Sequence, residues 1–476
     1  MTALLLVGAL LRPILLGARS LWFDEAGTMM LAALPFGKVL PLLISNEMSP
    51  PLYFVMMHFW LKAFADPRLG LRVFSVLCGV ASLVVFRSLC ERLLPKRARL
   101  LGLFIAAFSS YWIHAAQDGR VYSLSILVAL LCARSVLDLE EAPTPRRWAA
   151  YACWALFGLN LHYYFAFSLA AHALWLGWRF RRSPDQRKAW AATHLFVLLA
   201  LAPWAFFLPQ QLTRHVHDFL VADPLTLRHL GDLLGTMFFD VTYLGLALPA
   251  WLTPAIGAGF AAAAIAGAAR LAARLGPDDE RARLSFIVTH LVVPLALIMV
   301  AELVVGRPIT QARYFFALSP WAYLLAAFVF SSARRAMFAP RLLLEAVLAA
   351  GVVGYFASSR IVDPRFEALA AAIRRGSTGR DPVVYIETYY YLPMRLYYLP
   401  ERANFLISEA AEVYDYSAIP PYDGVIGGRH RSGLPRTVVV DGNHALSPRT
   451  VWLGTGPVLA AAIARTDPRR LRHGAL

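Results

Sequence analysis

Two carboxylates stand side by side in SLWFDEAGT, residues 20–28, directly after the first apolar run of the chain. Acids are scarce here, 30 Asp plus Glu against 46 Lys plus Arg, so Asp24 and Glu25 stand out. A carboxylate becomes a general base when a substrate hydroxyl comes within hydrogen-bond reach. Further on, EMSPPLY supplies Glu47 and Tyr53, and AQDGR supplies Asp118 and Arg120. NLHYYF supplies His162, and GRPITQARY supplies Arg307, Arg313 and Tyr314. Arginine binds phosphate through bidentate, charge-assisted hydrogen bonds. Acid and arginine together suit a reaction in which a hydroxyl displaces a phosphate leaving group. The base takes the acceptor proton, and the cation offsets charge growing on the phosphate. Glycosyl transfer from a lipid phosphate has this form, with an oxocarbenium-like transition state as in glycoside hydrolysis.

Each of these residues also has a plainer reading. An Asp between a span and a small residue is often a helix cap, and Glu47 ahead of Pro-Pro favours the positive end of a helix. Glu25 is a base or a solvated neighbour of one. Asp118 and Arg120 are an ion pair that fixes a loop, worth little if exposed, or part of a site. Arg313 and Tyr314 also suit an interfacial anchor. His162 is a packed histidine or a site residue. RHVHDF carries His215, His217 and Asp218, but an i, i+2 pair faces opposite ways on a helix, so a solvated loop is preferred to a zinc site. Gly257-Ala-Gly259 lies in an apolar run without a preceding strand, which favours close helix packing over a dinucleotide site.

The elements that must position these residues are membrane helices. The 476 residues are 58% hydrophobic and 16% charged, with a mean hydropathy of +0.54. An ordinary globular chain is about 45–50% apolar and about 25% charged. Apolar runs near the length of a bilayer span fall at about 3–18, 71–91, 99–116, 121–138, 148–164, 164–180, 190–208, 245–270, 284–304, 314–332 and 342–358. The net charge of +16 sits in short loops between them, such as Lys96–Arg99 and Arg179–Lys188. That placement marks cytoplasmic loops by the positive-inside rule, not a nucleic-acid surface. Eleven crossings then put the N-terminus inside and the C-terminus outside.

One apolar run, PPLYFVMMHFWLKAF from Pro50 to Phe64, breaks the alternation if counted as a span. It is short and aromatic, so it reads as a helix lying at the outer interface within a first outer loop of residues 19–70. Cys78, Cys90, Cys132 and Cys153 lie in apolar runs without a pairing pattern and read as small buried hydrophobes. After about residue 360 the runs PVVYIE and RTVVVDG alternate with helical patterns. The expected fold is an all-α polytopic membrane domain, residues 1–360, followed by a small extracytoplasmic α/β domain, residues 361–476.

In order, WFDEAGT, EMSPPLYFVMMHFW, PRLGLRVFSVL, AQDGRVYSLSIL and QARYFFALSP resemble the motif series of the GT-C glycosyltransferases. The likeness is to the branch of protein O-mannosyltransferases and lipid A aminoarabinose transferases, over most of the first 360 residues. The resemblance implies Asp24 as base with Glu25 beside it, Arg313, Arg120 and Arg307 for the donor phosphate, and Glu47, Asp118, His162, Tyr314 and Tyr53 for substrate. It also implies interfacial helices in the first loop, a polyprenyl-phosphate sugar donor, and an inner-membrane enzyme acting on the extracytoplasmic face. The acceptor class stays open among lipid, glycan and protein. Metal dependence stays open, since some GT-C enzymes use a divalent cation such as Mg²⁺ or Mn²⁺ and the nearer branch is thought not to need one. No Walker A, DxD or WWD-type motif is present, which fits a membrane-borne donor. The rival readings are a flippase, which predicts ionisable residues within spans and related halves, and a non-catalytic glycan-binding membrane protein.

Overall fold

The computed structural model describes residues 1–46, 49–207, 226–238, 251–274, 279–305, 310–331, 338–357, 365–376, 383–385, 393–398, 404–406, 437–441 and 450–454. The chain forms two compact units, residues 1–17 with 43–361 and residues 18–42 with 362–476. Where the sequence reading divides the chain once, near residue 360, the contacts also group residues 18–42 with the C-terminal part.

The first unit is helical. It holds α1 (Thr2–Leu11), α4 (Leu52–Trp60), α5 (Pro67–Leu93), α6 (Lys96–Phe108), α7 (Ser110–Gln117), α8 (Tyr122–Glu141), α9 (Pro145–Leu159), α10 (Phe165–Arg179) and α11 (Pro184–Ala205). It continues with α12 (Leu227–Phe238), α13 (Leu252–Arg274), α14 (Asp279–Val305), α15 (Ser319–Phe330) and α16 (Phe338–Ala357). Each of the eleven apolar runs carries a helix. Among the described residues, four helices (α5, α8, α14 and α16) are long and apolar enough to cross a membrane, or five if α6 and α7 count as one span bent by 47°. The helix α4 has 9 residues and rises only about 14 Å, too little to cross a hydrocarbon core of about 30 Å.

The run at 3–18 shows why an apolar stretch need not be a continuous helix. The helix α1 ends at Leu11; Pro13 lacks a donor N–H and its ring crowds the preceding turn. Leu15 then adopts φ 58°, the one non-glycine positive φ among the described residues. The carbonyls freed by this break still need donors. Gln117 Nε2 donates to Arg12 O (2.9 Å) and Ile14 O (2.8 Å), and Arg72 Nη1 donates to Leu16 O (3.1 Å). Tyr355 Oη donates in turn to Gln117 Oε1 at 3.0 Å, tying α16 to the same knot. Close packing elsewhere depends on small residues. A Cβ on Gly257 of α13 would lie 1.8 Å from Gly231 O of α12, whereas one on Gly259 would meet nothing within 4 Å. One cysteine departs from expectation: Cys153 is exposed, because it faces away from the buried side of α9 formed by Tyr151, Ala152 and Ala155.

Ion pairs gather at one end of this bundle. Arg92 at the end of α5 pairs with Asp138 (2.6 Å) and Glu141 (2.5 Å) at the end of α8. Arg97 at the start of α6 meets Glu280 at the start of α14, and Arg179 at the end of α10 meets Glu140. The connections α7–α8, α9–α10 and the one after α14 leave from the opposite helix ends.

The second unit holds α2 (Phe23–Ala33), α17 (Arg365–Gly376) and four short strands, β1 (Val383–Tyr385), β2 (Asn404–Leu406), β3 (Thr437–Asp441) and β4 (Thr450–Gly454). The helix α3 (Phe36–Asn46) contains the division between the units. The strand order is β2-β1-β3-β4. The strand β1 runs parallel to β2 and β3, with Val384 opposite Val439, and β4 is antiparallel to β3, with Val439 opposite Trp452.

Candidate functional site

In the first unit, three segments far apart in sequence meet at the helix ends opposite the ion pairs. The first is the start of α4. Pro51 precedes its first residue, and Leu52 N donates to Asn160 O at 3.3 Å, joining α4 to the α9–α10 connection. Tyr53 is buried, and its hydroxyl donates to Gly119 O at 2.9 Å. That bond holds the Asp118–Val121 turn against α4, where the Arg120 guanidinium lies 5.8 Å from the Phe54 ring centroid. Asp118 is buried, and its amide donates to His114 O at 2.9 Å as α7 ends.

The second segment is the α9–α10 connection. Tyr164 N donates to His162 Nδ1 at 3.2 Å. The third is a 3₁₀ turn, Ala312–Phe315, which presents Arg313 and Tyr314. Its position is set from α7, because Tyr111 Oη donates to Ala312 O and the Tyr111 ring stacks on Phe316 at 4.1 Å. The His162 ring lies 5.2 Å from Tyr314 and 5.3 Å from Tyr164, and the two tyrosines are 4.9 Å apart. Arg313 lies over the Tyr314 ring at 5.5 Å.

The electrostatics follow from this convergence. Loss of water, with Arg313 and Arg120 nearby, lowers the His162 pKa to about 4, so the imidazole is uncharged at neutral pH. Burial raises the Tyr164 pKa, with Tyr314 and Glu302 adding to the shift, so its phenol stays protonated. Glu302, in the last turn of α14, accepts a hydrogen bond from Thr310 Oγ1, and His229 Nε2 donates to Thr310 O at 3.3 Å. Two guanidiniums, a neutral imidazole and phenolic hydroxyls are donors of the kind that bind anions.

The sequence-selected residues Tyr53, Asp118, Arg120, His162, Arg313 and Tyr314 therefore come together in one unit. Glu47 and Arg307 lie outside the described residues, as do His215, His217 and Asp218. Tyr111 and Thr310 join the site without having been singled out. Tyr111 sits inside an apolar run and Thr310 in a loop, so no local pattern marks either.

Asp24 and Glu25 lie in the second unit, both in the first turn of α2, where the helix dipole favours negative charge. Trp22, extended at φ −111°, starts the helix without a side-chain cap. Leu21 and Ala26 belong to a core with Phe366, Leu369 and Tyr398, and Met29 and Met30 pack on it. Leu21 N donates to Tyr398 Oη at 3.1 Å, and Tyr398 stacks on Phe366 at 5.3 Å. The helix is thus fixed by residues more than three hundred positions away. Glu25 is 1% exposed, whereas Asp24 is only half-buried, which leaves Asp24 the more accessible of the adjacent acids. Among the described residues, no group of three or more His, Cys, Asp or Glu side chains is placed to hold a metal ion.

Residues 48–207 match the family described as dolichyl-phosphate-mannose-protein mannosyltransferase. That segment contains Tyr53, Asp118, Arg120 and His162, whereas Asp24, Glu25, Glu47, Arg307, Arg313 and Tyr314 lie outside it. No curated protein sequence matches the chain. Among solved structures, ArnT from Cupriavidus metallidurans bound to undecaprenyl phosphate superposes with a TM-score of 0.59 at 10% identity, covering 92% of each chain. The oligosaccharyltransferase AglB from Archaeoglobus fulgidus, in complex with an inhibitory peptide and a dolichol-phosphate, matches at a TM-score of 0.46 and 12% identity, covering 85% of this chain and 64% of that one. Over residues 48–207 the chain is thus similar to that mannosyltransferase family, and over nearly its whole length it shares the fold of ArnT.

Proposed function

We propose that the protein transfers a sugar from a polyprenyl-phosphate donor to a hydroxyl of a lipid, glycan or protein acceptor, with inversion at the anomeric carbon. The observation that carries this reading is the convergence of Arg120, Arg313 and uncharged His162 at the helix ends opposite the ion-paired, arginine-rich ones. Arg120 and Arg313 hold the phosphate, and Tyr314 and Tyr164 offer the sugar a ring face with a polar handle. Asp24, in the other unit, takes the acceptor proton. The acceptor oxygen bonds to the anomeric carbon as the bond from that carbon to the phosphate oxygen breaks, and the electron pair leaves with the phosphate.

A cavity of about 670 Å³ supports a lipid donor. It lies among α12, α13, α14 and α15 and is lined by apolar side chains such as Leu234, Phe238, Ile265, Val288, Leu291 and Leu325. The start of α12 is bonded to the loop before Arg313 through His229 and Thr310. An isoprenoid chain gains from burying apolar surface in such a space. By the positive-inside rule the ion-paired ends are cytoplasmic, so the reaction belongs to the extracytoplasmic face of the inner membrane. We read the C-terminal region as a small α/β domain on that same face.

The test is mass spectrometry of envelope lipids, glycans and proteins from cells carrying the wild-type protein, Asp24→Asn, Arg313→Ala or no protein. A sugar-bearing product should appear only with the wild type. Its undiminished appearance with Arg313→Ala, or identical profiles in all four strains, would overturn the reading.

A further inference from the structure

We infer that His162 acts as an uncharged hydrogen-bond donor, through Nε2–H, to the phosphate group held by Arg120 and Arg313. This deepens the function proposed above and rests on its phosphate site. The backbone fixes the tautomer. A peptide N–H only donates, so the 3.2 Å bond from Tyr164 N requires a lone pair on Nδ1. A neutral imidazole then carries its proton on Nε2. Among the described residues Nε2 has no hydrogen-bond partner, and the residue is half-buried. Tyr164 and Tyr314, each within 5.3 Å of the ring, limit its rotation.

The groups facing His162 also keep it uncharged. Arg120 comes from the α7–α8 turn, Arg313 and Tyr314 from the 3₁₀ turn, and Tyr164 from its own connection, while Glu302 of α14 acts on Tyr164. Among the described residues no carboxylate partners the ring, and the two guanidiniums oppose its protonation. The chemistry gives a reason for a neutral third donor. The donor lipid is a phosphodiester with one negative charge. After transfer the released monoester approaches two charges, as its second pKa is about 6. An N–H donor strengthens as that charge develops, yet adds no fixed charge to retain the product. The proton stays on Nε2 throughout.

The probe is undecaprenyl phosphate binding to the purified full-length protein in detergent, which needs neither the sugar nor the acceptor to be known. Glutamine places an amide nitrogen near the position of Nε2, whereas asparagine places one near Nδ1. His162→Gln should bind within about threefold of wild type. His162→Asn and His162→Phe should bind roughly tenfold to a hundredfold more weakly, the loss of one hydrogen bond to a charged group. A charged histidine would make wild-type binding strengthen relative to His162→Gln as pH falls through about 6.5; the two profiles should instead stay parallel between about pH 5 and 8. Asparagine equalling glutamine, phenylalanine equalling wild type, or diverging pH profiles would each overturn the inference. Arg313→Ala separates the two levels. If it binds normally, the phosphate site itself is wrong; if it loses binding while every His162 variant keeps it, only the role of His162 fails. Should the Asn and Phe variants not fold, ¹⁵N NMR of histidine-labelled wild type, assigned against His162→Gln, reads the tautomer directly. Protonation at Nδ1 would overturn the inference, and protonation at Nε2 alone would support it.

Discussion

The two units hold their candidate residues in different ways. The first unit offers Arg120, Arg313 and His162, held by tyrosine hydroxyls and ring contacts among three loops. The second offers Asp24 and Glu25 on a single helix turn, held by an apolar core. An anion site built from several loops is sensitive to the position of each loop. A carboxylate on one packed helix depends chiefly on that helix keeping its place. The two regions should therefore fail differently when mutated.

The largest effect is expected from Asp24→Asn, which removes the proposed base while keeping size and polarity. Turnover should fall by about 10²- to 10⁴-fold, with undecaprenyl phosphate binding and the melting temperature near wild type. Near-normal turnover would remove Asp24 from the mechanism. The adjacent Glu25→Gln sharpens the contrast. Because Glu25 is buried, its substitution should lower the melting temperature more than Asp24→Asn does while costing less turnover. On the other side of the comparison, Arg313→Ala should lower turnover by about 10²- to 10³-fold, as loss of one charge-stabilising group does, and should weaken undecaprenyl phosphate binding, which Asp24→Asn should not.

A packing variant tests the first unit away from its chemistry. Gly257→Val forces a side chain against Gly231 O and should destabilise the α12–α13 pair by about 1–3 kcal/mol, whereas Gly259→Val, with open space around it, should not. Thermal unfolding of the detergent-solubilised proteins separates the two.

The smallest effect is a pH dependence of stability. His162 has a folded pKa of about 4, below an unfolded value of about 6.5. The unfolded chain therefore binds a proton first as pH falls, and the stabilisation present above about pH 6.5 is lost progressively toward pH 4. The loss should be about 1–2 kcal/mol, less than the full shift implies because the residue is only half-buried. Equilibrium unfolding at pH 7.5 and 5 should show it in the wild type and show it reduced in His162→Gln.

Much of this was readable along the chain because the relevant signals are local. Apolar runs placed helices, the short aromatic run at 50–64 was separated from the spans by charge alternation, and Arg120, His162 and Arg313 stood out as polar groups beside apolar runs. The length of the first helix was less readable. Hydropathy sees an unbroken run at 3–18, while Pro13 and the left-handed Leu15 end α1 at Leu11. The outward turn of Cys153 and the roles of Tyr111 and Thr310 left no local mark.

By itself, then, the sequence determined a polytopic helical chain, the loops between its helices, and which side chains near the helix ends had the chemistry for phosphate and proton. The tertiary structure alone decided which of those side chains meet. Tyr111 and Ala312 are 201 positions apart, and Leu21 and Tyr398 are 377 apart. Helix formation depends on neighbours within one or two turns, so it is encoded locally. The joining of Arg120 with Arg313, and of α2 with α17, depends on how distant apolar faces pack, and no short stretch of sequence contains both partners.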